Sequence, residues 1–473
     1  MLGSVSETGL ELTEVHRFHY APAASDGHLR WPFARILEGL EAGLAAAKAA
    51  AVGPIESLGV CSWAVDYGLL DAGGRLLEDP IAYRDHRTDG ALERVLSEVP
   101  KQEIFERTGI QFLQFNTLFQ LHAHVREGLP ARARRLLMIP DLCHHALCGS
   151  TRGELTNAST TQLLDVRTRD WADDLFARLG LPRELMPELA PAGTPLGELD
   201  ERRKREPGLG RIRVIAPATH DTASAVAGTP LESGWAYVSS GTWSLVGIER
   251  EAPLLGEPVA RANFTNEGGA FGTVRFLKNV MGLWILESCR REWESAGRPS
   301  ELETLLRAAA ALDRSPGVVF PDDPRFFNPA SMSAELQAAL TATGQVVSDE
   351  PVHMTRVILD SLALRYASIV DTIEALSGER VPGIHVVGGG SRNDYLNQAT
   401  ADAAGRPVLA GPVEATATGN LLLQALASGR LGSLAEGRRL VAVPRRFEPR
   451  DPVGLAGVSE RYRQIEARAL ASR

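Results

Sequence analysis

The chain has 473 residues, of which 44% are hydrophobic and 23% charged, and its formal net charge at pH 7 is -9. This composition is typical of a soluble globular protein, and the length exceeds what one hydrophobic core usually supports, so two domains are expected. The negative charge disfavours binding to nucleic acid or anionic lipid, no apolar run predicts a membrane span, and the absence of a secretory leader pattern and of a disulfide framework favours the cytoplasm.

The first half of the chain predicts a mixture of strands and helices. Alternating polar and apolar residues over 1–20, with a turn at 7–9, indicate a hairpin. The Ala- and Leu-rich segment 36–52 has the composition of a helix. Segments 58–65 and 67–71 have the pattern of two strands.

The middle of the chain carries the main candidate site. His220 and Asp221 stand side by side among small residues, and a strand-like segment then runs into Ser239-Ser240-Gly241-Thr242. A carboxylate such as Asp221 can accept the proton of an alcohol, because the hydroxyl becomes strongly acidic only as it bonds to phosphorus. Hydroxyl side chains and a glycine can hold phosphate oxygens. A purely structural turn remains the alternative, since Ser-Gly-Thr turns are common.

The second half of the chain predicts further strands followed by helices. Apolar residues from Val280 to Trp284 recur at helical spacing, and Glu287 completes that face. The segment 359–373 has a sustained helical period, and the strand 384–387 runs into the Gly388-Gly389-Gly390 turn before another helix. A strand, a glycine turn and a helix N-terminus together favour nucleotide phosphate or ribose, although glycine also serves turns that bind nothing.

Each half therefore combines strands with helices, and the candidate site lies near the middle. We predict an N-terminal domain over 1–227 and a C-terminal domain over 228–473. Such an arrangement suits an enzyme that closes a cleft over its ligands.

Several motifs in order resemble the rhamnulokinases, which belong to the FGGY carbohydrate kinases. The resemblance extends from the first residue to about residue 430. The segments that carry it are 62–68, 83–88, 109–117, 156–163, 220–226, 240–245, 265–269 and 277–284.

The resemblance implies an α/β fold of two actin-like, ribonuclease-H-type domains around an interdomain cleft, with an N-terminal sugar-binding domain over 1–227 and a C-terminal nucleotide-binding domain over 228–473. It also implies transfer of the γ-phosphoryl group of ATP, with Mg²⁺, to the 1-hydroxyl of L-rhamnulose, and it makes Asp221 the proton acceptor. The implied sugar contacts are Ala64, His220, Thr222 and Asn279. The implied ATP contacts are Thr242, Glu287 and Gly389. The resemblance assigns no metal ligand and no oligomeric state.

The chain departs from the family pattern at three positions. Cys61 stands where an aspartate is usual, which changes a supporting contact or the metal environment. Ala64 replaces a glycine that contacts the sugar, and its methyl group narrows the pocket. Glu287 replaces a glutamine that faces the nucleotide, and an ionised carboxylate cannot donate a hydrogen bond.

The beginning of the chain is a further departure. Family members begin with a strand and a phosphate turn of the form Asp-Leu-Gly-Ala-Ser-Ser-Gly-Arg, and this sequence starts after the matching point. We therefore expect weak kinase activity from the chain as written. The alternatives are an FGGY kinase for another ketose, such as L-fuculose, and a non-catalytic protein that binds sugar or nucleotide.

Overall fold

A computed structural model of the chain describes residues 1–6, 9–205, 211–442, 445–450 and 453–471. Its strands are β1 (Leu2–Ser6), β2 (Gly9–Thr13), β3 (Ala23–Ser25), β4 (His28–Arg30), β5 (Ser57–Leu58), β6 (Tyr67–Leu70), β7 (Arg135–Met138), β8 (Gly153–Glu154), β9 (Leu164–Asp165), β10 (Asp170–Trp171), β11 (Leu189–Ala190), β12 (Thr194–Glu198), β13 (Arg213–Ala216), β14 (Ala236–Ser240), β15 (Trp243–Arg250), β16 (Thr265–Gly268), β17 (Val274–Met281), β18 (Ile384–Val387), β19 (Val408–Ala410) and β20 (Arg445–Phe447). Its α-helices are α1 (Phe33–Ala50), α2 (Ala91–Glu98), α3 (Lys101–Thr108), α4 (Thr117–Glu127), α5 (Ile139–Cys148), α6 (Leu155–Ala158), α7 (Asp173–Arg178), α8 (Glu201–Lys204), α9 (Asp221–Ala227), α10 (Glu257–Ala262), α11 (Trp284–Ser295), α12 (Leu302–Ala310), α13 (Met332–Ala342), α14 (Pro351–Ser377), α15 (Asp394–Ala404), α16 (Ala415–Ala427), α17 (Leu434–Arg439) and α18 (Val453–Ala471).

The chain divides into two compact units. Unit 1 consists of Met1–Pro230, Glu249–Phe276 and Ala415–Ala442. Unit 2 consists of Leu231–Ile248, Leu277–Glu414 and Val443–Arg473. The long first segment of unit 1 ends close to the boundary that the sequence predicts, and two later segments of the chain return to this unit.

In unit 1 the predicted hairpin is present, with β1 and β2 paired antiparallel. Residues 7 and 8 of its predicted turn lie outside the described residues. The predicted helix over 36–52 corresponds to α1. The predicted strand over 58–65 is wrong for most of its length, because β5 ends at Leu58 and an irregular loop follows.

The short strand β5 matters because it runs parallel to β13, with Leu58 beside Val214. The carboxyl ends of these two strands therefore lead into neighbouring loops, residues 59–66 and 217–220. Beneath them, Leu44, Leu147 and Ile212 belong to one buried cluster with Val214. Burial of each large aliphatic side chain contributes roughly 1.5–3 kcal/mol, so this cluster anchors the loops that follow.

Unit 2 is organised around a sheet in which β14 and β18 are parallel neighbours. In this seven-stranded sheet β15-β14-β18-β19-β20 are consecutive neighbours, and Ser239 pairs with Val387 at the carboxyl ends of β14 and β18. The predicted helix over 359–373 lies within α14, which is buried along most of its length and packs against α15. The predicted helix around Val280 and Trp284 is partly wrong, because Val280 belongs to β17 and α11 begins at Trp284.

None of the helices in the described part of the chain combines the length and the apolar character that crossing a membrane would require.

Candidate active site

His220 and Asp221 lie at the junction between β13 and α9. Asp221 is the first residue of α9, and its backbone N–H donates to the Ser62 carbonyl at 2.9 Å. Ser62 and His220 also form an isolated parallel β-bridge, which joins the two loops that follow β5 and β13. The Asp221 side chain is 45% exposed, whereas the His220 side chain is 8% exposed. The carboxylate is therefore accessible while the imidazole beside it is buried.

The two oxygens of the Asp221 carboxylate have different surroundings. Oδ1 accepts hydrogen bonds from the Thr222 backbone N–H at 2.6 Å and the Thr222 hydroxyl at 3.2 Å. The same oxygen lies 3.5 Å from His220 Nε2. No donor among the described residues is hydrogen-bonded to Oδ2. Oδ2 is therefore the oxygen that can accept a proton from an alcohol.

The other side of the His220 ring faces a buried ion pair. Nδ1 lies 2.9 Å from Nη2 of Arg275, and Arg275 is fully buried. The same guanidinium lies 3.1 Å from Oε2 of Glu267 and donates to the Gly268 carbonyl through Nε at 2.9 Å. A fully buried arginine is stable only with such partners.

A buried carboxylate supports the backbone just before the candidate base. Glu154 accepts hydrogen bonds from the backbone N–H and the hydroxyl of both Thr156 and Thr219, at distances from 2.5 to 2.9 Å. Burial raises the pKa of Glu154 in spite of these bonds. Burial, and then the charge of Glu154, raise the pKa of Asp141 well above its usual range. The four hydrogen bonds that Glu154 accepts favour its charged form against this burial.

Ala64 lies in the irregular loop between β5 and β6, where the next residue has unusual backbone geometry. Val65 has a φ of +70°, in the left-handed region that β-branched residues rarely adopt. Its carbonyl accepts hydrogen bonds from the Thr117 hydroxyl at 2.7 Å and from Gln120 Nε2 at 3.2 Å. These bonds hold the strained backbone, and hence the position of Ala64, in one arrangement.

Asp66 fixes the far end of the same loop. Its Oδ2 accepts hydrogen bonds from the indole N–H groups of Trp31 at 2.7 Å and Trp63 at 2.9 Å. The backbone N–H of Tyr83 donates to the same oxygen at 3.2 Å. Burial raises the pKa of Asp66 to about 6 in spite of these donors. The buried carboxyl group of Asp66 therefore holds the end of the loop that contains Ala64, a predicted sugar contact.

Cys61 occupies a small polar environment within unit 1. Its Sγ lies 3.2 Å from Ser224 Oγ and accepts a hydrogen bond from Asn420 Nδ2 at 3.1 Å. Burial raises the pKa of the Cys61 thiol to about 12, so a neutral thiol stands at this position. Where the family pattern predicts an aspartate, Cys61 therefore supplies a neutral hydrogen-bonding group next to Ser224 of α9.

In unit 2 the two predicted phosphate turns lie against each other. A Cβ atom added to Gly388 would lie 2.9 Å from the Ser240 carbonyl oxygen, and one added to Gly390 would lie 2.0 Å from Ser240 Oγ. A Cβ atom on Gly389 would have no heavy atom of the described residues within 4 Å. Thr242 is exposed beside this contact. Gly388 and Gly390 therefore allow the turn to pack closely against Ser240, whereas Gly389 faces space that the described residues leave open.

Asn279 and Glu287 also belong to unit 2, on β17 and α11 respectively. Asn279 is half-buried. The Glu287 side chain is 43% exposed and accepts hydrogen bonds from Arg290 at 2.6 Å and Arg291 at 3.3 Å. The carboxylate is therefore a paired and partly solvated anion, not an isolated desolvated one.

The structure thus brings two sets of predicted residues together, each within one unit. The first set is the Ala64 loop with His220, Asp221 and Thr222. The second set is Thr242 with Gly389, and the backbone N–H of Trp284 at the start of α11 donates to the Thr242 carbonyl at 3.1 Å.

Sequence reasoning assigned no role to three buried charged residues near His220 and Asp221. These are Glu154, Glu267 and Arg275. The available signal was the segment Val274-Arg275-Phe276-Leu277, since an arginine in an apolar run implies a buried partner.

No three His, Cys, Asp or Glu side chains of the described residues are grouped so as to hold a metal ion. A Mg²⁺ ion that enters with a nucleotide uses phosphate oxygens and water for most of its coordination.

Comparisons with known proteins identify relatives over almost the whole chain. The model of the FGGY family of carbohydrate kinases, N-terminal domain, matches residues 13–228, and that of the C-terminal domain matches residues 236–428. A rhamnulokinase from Bacteroides thetaiotaomicron is 40% identical over 461 residues, with 95% of this chain and 93% of the relative covered. A rhamnulokinase from Pectobacterium carotovorum is 42% identical, with 96% and 91% covered.

Solved structures show the same fold at low sequence identity. The gluconate kinase from Lactobacillus acidophilus superposes with a TM-score of 0.79 at 15% identity and covers 96% of this chain and 92% of its own. The xylulose kinase from the same organism has a TM-score of 0.77 at 14% identity, with 96% and 91% covered. The predicted two-domain α/β fold of these kinases is therefore confirmed.

Proposed function

The chain belongs to the FGGY family of carbohydrate kinases, and on that basis we propose that it transfers the γ-phosphoryl group of ATP to the 1-hydroxyl of L-rhamnulose. The observation that carries the proposal is the identity of about 40% with rhamnulokinases over more than 90% of the chain. The accessible Asp221 carboxylate supports it, because a proton acceptor is what the reaction requires. ATP and a free ketose are both small cytoplasmic metabolites, so we expect the chain to act in that compartment.

In the proposed reaction the sugar 1-hydroxyl oxygen attacks the γ-phosphorus of ATP. The bond between this phosphorus and the oxygen bridging to the β-phosphate breaks, and ADP leaves with that electron pair. The hydroxyl proton passes to Oδ2 of Asp221, the oxygen that accepts no hydrogen bond from the described residues. An ordinary carboxylate is a sufficient base, because the hydroxyl becomes acidic late, as it bonds to phosphorus.

The neighbouring residues would orient the sugar. We propose that His220 and Thr222 hold Asp221 and contact the ketose, with Ala64 beside them in the loop braced by Thr117 and Gln120. The Ala64 methyl group narrows the space for the sugar relative to a glycine. Asn279 is proposed as a further sugar contact, by its match to the family motif.

The nucleotide would bind at the two turns of unit 2. Thr242 offers a hydroxyl donor, and the open side of Gly389 leaves room for a phosphate or ribose. Glu287 is proposed to lie near the adenine, where its pairing with arginine limits the penalty for a carboxylate. Mg²⁺ bound to the ATP phosphates would neutralise part of their charge.

The proposal can be tested by measuring ADP release with ATP, Mg²⁺ and a panel of ketoses. The panel contains L-rhamnulose, its isomer L-fuculose and D-xylulose, and ³¹P NMR identifies the phosphorylated position. We expect kcat/KM for L-rhamnulose to exceed the others by at least about tenfold, or about 1.4 kcal/mol. A higher kcat/KM for L-fuculose than for L-rhamnulose would make L-fuculose the substrate instead. Calorimetric binding of ATP and sugar without ADP release would identify a non-catalytic protein.

A further inference from the structure

The contact between Arg275 and His220 determines more than the position of the ring. Arg275 Nη2 is 2.9 Å from His220 Nδ1, and the pair lies within unit 1 away from solvent. A guanidinium group has only donors and stays charged at all ordinary pH values. Nδ1 must therefore present its lone pair to Arg275, which places the single ring proton of neutral histidine on Nε2.

Glu267 would favour a proton on the same nitrogen. Its Oε2 is 3.4 Å from His220 Nδ1 and would accept a hydrogen bond from a protonated Nδ1 if Arg275 were absent. In the structure this oxygen is closer to Arg275, at 3.1 Å, and forms an ion pair with it. Arg275 therefore occupies Nδ1 and forms an ion pair with the carboxylate that would otherwise favour the other tautomer.

The tautomer has a consequence for the base on the other side of the ring. Nε2 lies 3.5 Å from Asp221 Oδ1, the oxygen that already accepts two hydrogen bonds from Thr222. A proton on Nε2 points a donor toward Oδ1, whereas a lone pair there would repel the carboxylate. The His220 backbone donates its N–H to the Thr156 hydroxyl at 3.3 Å, and its carbonyl accepts a hydrogen bond from the Ser224 N–H at 3.1 Å.

We propose that Arg275 is a positioning residue for the kinase reaction and holds His220 as the Nε2–H tautomer. His220 then engages Oδ1 of Asp221 and leaves Oδ2 to receive the sugar proton, and it does not compete as a base itself. Glu267 is the counter-ion that keeps Arg275 in place. The catalytic part of this inference rests on the proposed function, while the tautomer does not.

The native protein tests the tautomer directly. Magic-angle-spinning ¹⁵N NMR on protein labelled with ¹⁵N-histidine distinguishes protonated from unprotonated ring nitrogens, and comparison with His220→Gln assigns the His220 signals. We expect an unprotonated Nδ1 and a protonated Nε2 without any ligand present. A protonated Nδ1 in the native protein would overturn the inference, whatever the kinase assay shows.

Substitution tests the positioning role. In Arg275→Met, Nδ1 faces only Glu267, so we expect the Nδ1 signal to become protonated and kcat to fall about 10- to 100-fold with the sugar KM changed less than about threefold. Arg275→Lys keeps a charged donor, and we expect it to restore the native tautomer and much of kcat. Adding Glu267→Gln to Arg275→Met removes the competing acceptor and should recover part of kcat.

The outcomes distinguish the positioning role of Arg275 from the proposed kinase function. A folded Arg275→Met protein with a changed tautomer and native kcat would refute the positioning role. If Arg275→Met does not fold, Arg275→Lys decides, because loss of kcat with the native tautomer kept would also refute it. No turnover of any ketose by the native protein would refute the proposed function while the NMR result still decides the tautomer.

Discussion

The glycine turn after β18 allows a test that separates folding from nucleotide binding. Gly389 and Gly390 are adjacent, but a methyl group on Gly389 meets no described heavy atom within 4 Å, whereas one on Gly390 would lie 2.0 Å from Ser240 Oγ and 2.5 Å from its Cβ. Gly389→Ala should therefore leave the free energy of unfolding nearly unchanged. Gly390→Ala must displace Ser240 and should cost about 1–3 kcal/mol, the usual range for overpacking.

The order of the two substitutions should be reversed for ATP affinity, because Gly389 and not Gly390 has an open side. If the open side of Gly389 holds phosphate or ribose, its methyl group takes that space, and the same range of about 1–3 kcal/mol weakens the ATP Kd by roughly 5- to 150-fold. Isothermal titration calorimetry with ATP and urea unfolding of the same preparations measure both quantities. Native ATP affinity in Gly389→Ala would show that the turn does not hold nucleotide, and a destabilised Gly389→Ala would refute the packing argument.

Three further predictions concern single carboxylates. Asp221→Asn keeps an acceptor for Thr222 but turns the open oxygen into a donor, so kcat should fall roughly 10²- to 10⁴-fold with the sugar Kd nearly unchanged, and near-native turnover would contradict the base assignment. Glu154→Ala leaves two buried backbone N–H groups without acceptors, which should lower the free energy of unfolding by about 2–6 kcal/mol in urea titrations, and a loss below about 1 kcal/mol would contradict the supporting role. Glu287→Gln replaces an anion already paired with Arg290, so the ATP Kd should tighten by no more than about fivefold, and a gain above tenfold would indicate an unpaired carboxylate.

The sequence alone sufficed for the features that depend on local patterns. The strand that ends at Ser240, the glycine turn after Val387 and the helices α1 and α14 all follow from periodicity and turn chemistry over short stretches. The family resemblance rests on many such segments in order. It identified the family and marked Asp221 as the candidate base, a role that stays a prediction, as does the interdomain cleft.

Local patterns failed where distant residues decide the backbone. The predicted strand over 58–65 contains Val65, whose left-handed φ is held by Thr117 and Gln120, more than fifty residues later. The predicted helical start at Val280 is replaced by the strand β17. Apolar runs of this length satisfy either a strand or a helix, and the neighbouring chain selects between them.

Tertiary structure alone decided the surroundings of Asp221. It showed that Oδ2 of Asp221 accepts no hydrogen bond from the described residues, that Arg275 faces His220 Nδ1, and that Glu154 supports the backbone before Asp221. It also distinguished Gly389 from its two neighbours, which look identical in sequence. A sequence reveals which groups a chain contains, but a proton's location depends on which donors and acceptors the fold places within about 3 Å of one another.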